Sequence, residues 1–259
     1  MSSNERSVIV TGGAGGGIGI GATRVLAQAG WRVLVVEIDR QAVAAMQVEA
    51  AAAGWHADVL FADITETDAP AQIIDHALEL YGGLNGCVNN AGVGLVKDSA
   101  EVTDEQFDTL MAVNIRAMFR MSRVAYSALG ASQGAIVNIG SINSRATAPR
   151  YAVYAASKGA VESLTRGMAL DYGPQGVRVN CVLPGLVDGP QTREVLSQLT
   201  DDVDSYLETW IKYKQALPYL TGQDDVGRVI AFLLSDDARA ITGQAIVVDG
   251  GTLAQVSDR

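Results

Sequence analysis

Tyr154-Ala-Ala-Ser-Lys158 sets a phenol and an ammonium four residues apart, and Ser141 lies thirteen residues upstream. On a helix the two side chains share one face. A free tyrosine has a pKa near 10 and is a poor base at neutral pH, so a cation beside it favours the phenolate. Bringing that pKa down to about 7–8 takes about 3–4 kcal/mol of preferential phenolate stabilisation. A close ammonium joined by a second cation in a dry site supplies energy of that order. Ser141, delivered nearby by a strand end, would hydrogen-bond the oxygen of a bound molecule. Such groups move a proton between an alcohol and a carbonyl. Tyr-x-x-x-Lys also occurs on ordinary surface helices, so the weight falls on the elements around it.

Seven apolar, β-branched runs mark strands at 7–11, 32–37, 57–61, 84–89, 135–140, 177–183 and 245–248. They are continuous rather than alternating, as strands covered on both faces require. Helical patterns lie between them at 22–29, 40–53, 67–81, 104–129, 151–172 and 224–234. This alternation implies right-handed crossovers and a parallel sheet. The expected fold is α/β, a doubly wound, seven-stranded parallel sheet with helices on both faces, in one domain over 1–259. Only 188–221 breaks the rhythm. It is long and polar and carries Tyr206, Trp210, Tyr213 and Tyr219. It reads equally as a substrate-binding loop and as a surface helix pair.

The first strand runs into Thr11-Gly-Gly-Ala-Gly-Gly-Gly-Ile-Gly19, followed by a helix. Glycines there let a turn tighten and let a pyrophosphate approach the backbone at a helix N-terminus, the Rossmann arrangement. The second strand ends in Glu37-Ile38-Asp39, about twenty residues on. An acid at that place accepts hydrogen bonds from ribose hydroxyls and repels a 2′-phosphate. Glu37 is the residue expected there, and no arginine directly follows it, so NAD is expected over NADP. Asp39 reads better as the N-cap of the next helix. Asp63 and Ile64 follow the third strand, at the adenine edge or at a helix start. Asn89-Asn90-Ala91-Gly92 ends the fourth strand, where it either lines a ribose or ties strands together.

Composition narrows the field. A net charge of −10 argues against nucleic acid or an anionic membrane as partner. Hydrophobic residues at 48% and charged residues at 19% suit a compact α/β enzyme. Cys87 and Cys181 stand alone in apolar runs, which reads as buried thiols and neither a disulfide framework nor a metal site. The first residues form no apolar signal region, and no run reaches membrane-spanning length, so a cytoplasmic protein is the expectation.

From Val8 to Gly251 the chain resembles the single-domain, NAD-using short-chain dehydrogenases/reductases. The resemblance rests on the glycine turn, Asp63, Asn89-Asn90-Ala91-Gly92, Asn114, Ser141, Tyr154-x-x-x-Lys158, Pro184-Gly185 and Val248-Asp249-Gly250-Gly251. It implies that Tyr154 is the catalytic acid/base and that Ser141 orients and polarises the substrate oxygen. Lys158 would lower the Tyr154 pKa, with help from a nicotinamide cation, and bond the nicotinamide ribose. Asn114 would position a water in a proton relay through Lys158. Gly12, Gly17 and Gly19 are expected at the pyrophosphate, with Ile18 under the nicotinamide side. Asn90, Ala91 and Gly92 are expected along the ribose, and Pro184, Gly185 and Val187 at the carboxamide. The resemblance also implies a homotetramer built on the helices of Asn114 and Tyr154.

The chain departs from the family pattern in three places. Four residues, not three, separate Gly12 from Gly17, so which glycine meets the pyrophosphate is open. After Pro184-Gly185-Leu186-Val187-Asp188 stands Gly189 where the family has threonine, and Thr192 is the nearest replacement. Gly140 precedes Ser141 where serine is common, which should leave space beside the substrate oxygen.

The expected reaction is hydride transfer between NAD and a secondary alcohol or ketone. The expected pocket comprises Ser141, Asn143, Ser144, Arg145, Arg150, Tyr151, Leu186 and residues 190–220. Arg145 and Arg150 read either as carboxylate partners or, better, as solvated surface. Two other classes fit the same fold: a non-catalytic dinucleotide-binding regulator, and a lyase or epimerase using bound NAD. The intact set Asn114, Ser141, Tyr154 and Lys158 weighs against the first. The lack of a longer C-terminal substrate domain weighs against the second.

Overall fold

The computed structural model describes residues 5–197 and 199–255. The main-sheet strands are β1 (Ser7–Thr11), β2 (Arg32–Glu37), β3 (Ala57–Phe61), β4 (Gly86–Asn89), β5 (Ala135–Ile139) and β6 (Arg178–Pro184). Two short strands, β7 (Val187–Asp188) and β8 (Thr221–Gly222), pair with each other, and β9 (Ala245–Val248) completes the main sheet. Its order is β3-β2-β1-β4-β5-β6-β9, parallel throughout. The chain reverses direction across the sheet between β1 and β4, and a crevice opens there at the carboxyl ends of the strands.

Strand alternation builds two cores. Ile9, Leu34, Val36, Cys87, Ile136, Val179, Cys181 and Leu183 face one side. Val8, Val10, Val33, Val35, Val88, Val137 and Val182 face the other. Helices α1 (Ile18–Gln28), α2 (Arg40–Ala53), α3 (Ala69–Tyr81), α4 (Asp104–Met111), α5 (Met118–Ser132) and α6 (Ala152–Tyr172) fill the crossovers. Helices α7 (Pro190–Ser197), α8 (Val203–Lys214) and α9 (Gln223–Leu234) follow β7. Thus the 188–221 excursion is largely helical, a pair of helices held between two short strands. Both cysteines are buried, and burial pushes each thiol up to about 12, which keeps them protonated and unreactive.

Two helices differ from the sequence expectation. Helix α1 starts at Ile18, four residues before the expected 22, because Gly19 and Gly21 lower intrinsic helicity but serve packing. A Cβ on Gly19 would overlap the Gly12 carbonyl oxygen, and one on Gly21 would overlap the Gln223 backbone where α9 begins. The expected 104–129 helix is interrupted by a π-helical stretch, Ala112–Ala117, that carries Asn114. The wider turn lets the Asn114 carboxamide bond outside its own helix.

A buried amide ladder ties the sheet to its helices. Asn89 Nδ2 donates to Asn138 Oδ1 (2.8 Å) and Ser122 Oγ (2.9 Å). Asn138 Nδ2 donates to Thr165 Oγ1 on α6 (2.9 Å). Asn138→Ala orphans an amide hydrogen of Asn89 in a dry core and removes the donor to Thr165 Oγ1, which keeps its own bond to the Val161 carbonyl, so it should lower the unfolding free energy by about 2 kcal/mol. Urea denaturation at constant m-value measures this.

Candidate active site

The glycine loop forms where β1 ends. Gly12 adopts φ +63°, and a Cβ there would come within 3.0 Å of the Ala91 Cα. Thr11 Oγ1 accepts from Asn90 N and Ala91 N (both 3.1 Å). Asn90 Nδ2 donates to the carbonyls of Thr11 (3.0 Å) and Gly12 (2.9 Å). Asn90 therefore clamps β4 to the loop with its side chain. Gly19 sits in the first turn of α1, against Gly12 and Asn90. Gly17 opens α1 with no side-chain cap. Of the glycines assigned to the pyrophosphate, Gly12 and Gly19 are demanded by backbone packing, while Gly17 stands at the helix N-terminus.

Glu37, 8% exposed, reaches across from β2 to that loop. Its Oε2 accepts from Gly15 N (3.1 Å) and Ala14 N (3.4 Å). Its Oε1 accepts from Ile38 N (2.9 Å) and Asp39 N (3.3 Å). The middle of the glycine turn is thus held by a carboxylate. Asp39 caps α2 through Gln41 N and Ala42 N. Asp63 Oδ1 accepts from Thr65 N (2.8 Å) and Thr65 Oγ1 (2.7 Å), with buried Ile64 next to it. Pro184 ends β6, and Gly185 packs so closely on Asp249 that a Cβ would lie 2.7 Å from the Asp249 Cβ. Val187 begins β7, with Leu186 between. An uncapped helix N-terminus, backbone held close by Gly12 and Gly19, and an acid at the end of β2 fit a dinucleotide.

Ser141 follows β5 and caps a single 3-10 turn, Ile142–Ser144. Its Oγ accepts from Asn143 N (3.2 Å) and Asn143 Nδ2 (3.3 Å). That leaves its own hydrogen for Tyr154, and this hydrogen bond lowers the phenol pKa. Asn143 is therefore engaged with Ser141, and its Oδ1 accepts from Thr147 Oγ1 (3.1 Å). Lys158 is buried, donates to the Ile139 carbonyl (2.9 Å), and lies 5.8 Å from the centre of the Tyr154 ring. Burial lowers Lys158 from 10.5 to about 8. Burial also raises Tyr154, more than the Ser141 hydrogen bond lowers it. The expected lowering of the Tyr154 pKa by Lys158 is not what the chain alone produces, because the ammonium is turned to Ile139. A positive charge brought against the phenol would shift it down.

Asn114 is held at three points. Its Oδ1 accepts from Val93 N (2.8 Å), and its Nδ2 donates to Val93 O (3.0 Å) and Ser157 Oγ (3.0 Å). Both amide hydrogens are spent, so a water at Asn114 has the main chain and one Oδ1 lone pair to bind. Gly92 makes this packing possible: a Cβ there would lie 3.2 Å from Asn114 Oδ1 and 3.4 Å from Lys158 Nζ. Ser157, inside the Tyr-x-x-x-Lys motif, links Asn114 to the Tyr154 carbonyl (2.7 Å) and was not singled out by its sequence position.

Around this centre, Tyr151 meets Tyr154 edge to face at 6.2 Å, and Tyr206 of α8 stacks on Trp210. Burial raises the Tyr151 pKa, and neighbouring Tyr206 and Tyr154 add to the rise. The space expected at Gly140 is filled, since Leu183 and Cys181 stand where a side chain would go. Arg145 is paired with Glu162 at 3.0 Å, so it is no ready partner for a carboxylate. Arg150 adopts φ +71°, a strained conformation outside glycine, and its carbonyl accepts from Lys97 N (2.8 Å), fixing the rim opposite.

A tyrosine and a buried lysine beside a crevice that fits a dinucleotide suit an oxidoreductase of alcohols. The comparisons agree. The family profile described as Enoyl-(Acyl carrier protein) reductase matches residues 13–252. The chain is 33% identical to 2-(S)-hydroxypropyl-CoM dehydrogenase 3 of Xanthobacter autotrophicus, over 96% of this chain and 98% of that one. It is also 33% identical to cyclopentanol dehydrogenase of Comamonas sp., over 97% of this chain and 98% of that one. The crystal structure of gox2181 superposes with a TM-score of 0.88 at 27% identity, covering 97% of each chain. The chain belongs to the short-chain dehydrogenase/reductase family and uses a nicotinamide dinucleotide, which accepts or donates a hydride.

Two outcomes follow from this geometry. Tyr154→Phe removes the transferable proton and should leave at most a few per cent of turnover, with dinucleotide affinity close to wild type by fluorescence titration. Lys158 titrates near 8 when folded and at 10.5 otherwise, so between those values the unfolded chain carries the extra proton. Stability contributed by this group therefore rises with pH across that window. Without cofactor, Lys158→Met should be more stable than wild type at pH 7 by about 2 kcal/mol. The gain should shrink as pH climbs towards 10.5, as thermal melts across pH would show.

Proposed function

We propose that this chain interconverts a secondary alcohol and a ketone with NAD, Tyr154 serving as acid/base. The observation that carries this reading is buried Lys158 one helical turn from Tyr154, its Nζ 5.8 Å from the Tyr154 ring centre, with Ser141 lowering the phenol pKa. In oxidation Tyr154 takes the hydroxyl proton, Ser141 holds the oxygen, and Lys158 and Asn114 pass the proton outward. Gly12, Gly17, Ile18, Gly19, Asp63, Ile64, Asn90, Ala91, Gly92, Pro184, Gly185 and Val187 are proposed to line the cofactor, and Leu186 and Tyr151 the substrate.

The preference for NAD is supported by Glu37. Its carboxylate takes the four backbone N–H groups that an adenosine 2′-phosphate would need, and it repels that phosphate besides. Arg40, the first cation after Glu37, is stacked on Phe61 at 3.8 Å. The named relatives act on 2-(S)-hydroxypropyl-CoM and on cyclopentanol. Aromatic Tyr151, Tyr206 and Trp210 favour an apolar or ring-bearing alcohol for this chain too. We place the protein in the cytoplasm; among the described residues no helix is long and apolar enough to cross a membrane. A homotetramer is supported by a groove along α5 and α6 lined by Phe119, Ala160, Leu164 and Met168, with Leu170 79% exposed nearby.

Absorbance at 340 nm with a panel of secondary alcohols tests the reading, since a regulator or an epimerase gives no net reduction of added NAD. The kcat/KM with NAD should exceed that with NADP by about a hundredfold, the factor for roughly 3 kcal/mol of repulsion. Glu37→Ser should narrow the ratio to within about tenfold. A native preference for NADP would sink the Glu37 assignment.

A further inference from the structure

The start of α7 lies on the glycine loop. Gly16 is one of the four residues between Gly12 and Gly17, and its carbonyl accepts two hydrogen bonds from distant segments. Gln191 N donates at 3.2 Å, and Gln223 Nε2 donates at 2.7 Å. Pro190 packs on Gly16, where a Cβ would come within 2.9 Å of it. The Gln191 carboxamide is seated on Gly17 itself, so that any Cβ there would overlap Gln191 Oε1. Gln223 in turn fills the place of a Gly189 side chain, which would overlap its amide nitrogen. Two glutamines thus dock the excursion onto the loop at Gly16.

The surroundings of the Gln191 carboxamide are those of an anion site. It stands at the N-terminus of α1, whose dipole is positive there and which no side chain caps. Among the described residues no hydrogen bond engages the carboxamide, although the Gln191 backbone is fixed to Gly16. A terminal amide carries two donors and turns about its last torsion to present them. Glu37, the acid nearest on the loop, is directed to Ala14 and Gly15 and not to Gly17.

We propose that Gln191 donates a hydrogen bond to the dinucleotide pyrophosphate, and that Gln223 and the Gly16 carbonyl seat α7 so that it can. Gln191 is then a binding residue for the cofactor, and the Gly16 carbonyl is the docking acceptor for the segment that carries it. The inference rests on the dinucleotide reading given above.

Calorimetric titration with ADP-ribose, which has the pyrophosphate but no nicotinamide, tests it alongside adenosine, which has neither. Gln191 is exposed, so its variants fold, and a thermal melt of each checks this. Gln191→Ala should weaken ADP-ribose about tenfold, the scale of one hydrogen bond to a charged group. Gln191→Glu should weaken it by about a hundredfold, and Gln191→Lys should match or exceed wild type. Adenosine affinity should stay constant throughout. A purely steric role predicts no such ordering by charge. Equal ADP-ribose affinity across the series overturns the assignment while leaving the oxidoreductase intact. A wild-type chain that binds neither ADP-ribose nor NADH nor NADPH overturns both.

Discussion

Everything in this site is registered to one close approach, that of Gly19 at the start of α1 to the Gly12 carbonyl at the end of β1. No side chain fits between them. The approach brings the helix N-terminus over the strand end, and Asn90 locks it there by donating to both Thr11 and Gly12. Because Asn90 belongs to the segment after β4, the same lock defines the crevice between the two halves of the sheet. Gly92 and Val93 continue from it to Asn114, and Asn114 reaches Ser157 on the helix of Tyr154. One chain of contacts therefore runs from the cofactor turn to the acid/base, without passing through solvent.

Much of this could be read in the sequence. Parallel strands covered on both faces leave continuous β-branched runs, and 7–11, 32–37, 57–61 and 245–248 match the observed strands residue for residue. The candidate residues stood out because their types are unusual where they stand, and the structure does put Tyr154 and Lys158 on one helix. What escaped was set by tertiary contact. Gly19 and Gly21 look like helix breakers until α9 and the Gly12 carbonyl are present. A π-helical stretch has no local signature, since it exists to aim Asn114 at Val93. Gln191 and Gln223 are ordinary polar residues whose meaning comes from Gly16, far away in the chain. The room read into Gly140 was illusory for the same reason, because Leu183 and Cys181 come from β6.

The energetics of the centre run against the folded chain by itself. A lysine driven down to about 8 by burial and a tyrosine driven up by it are each costly to hold. Lys158 itself is buried, and its ammonium is satisfied by the Ile139 carbonyl. Stability is given up at the site and recovered in the two cores, the usual arrangement where preorganisation matters.

The π-helical stretch at Ala112–Ala117 reaches further than the hydrogen bonds of Asn114. It acts as a phase shifter in an otherwise continuous rod. One residue of extra winding rotates everything downstream by about 100°, since a helix turns once in 3.6 residues. Met118 and Met121 then point into the core, while Phe119 emerges on the outer face beside α6. The inward aim of Asn114 and the outward aim of Phe119 are thus two readings of a single angular offset. Removing the extra residue of winding would turn both at once, so the two aims cannot be set by the length of that stretch independently.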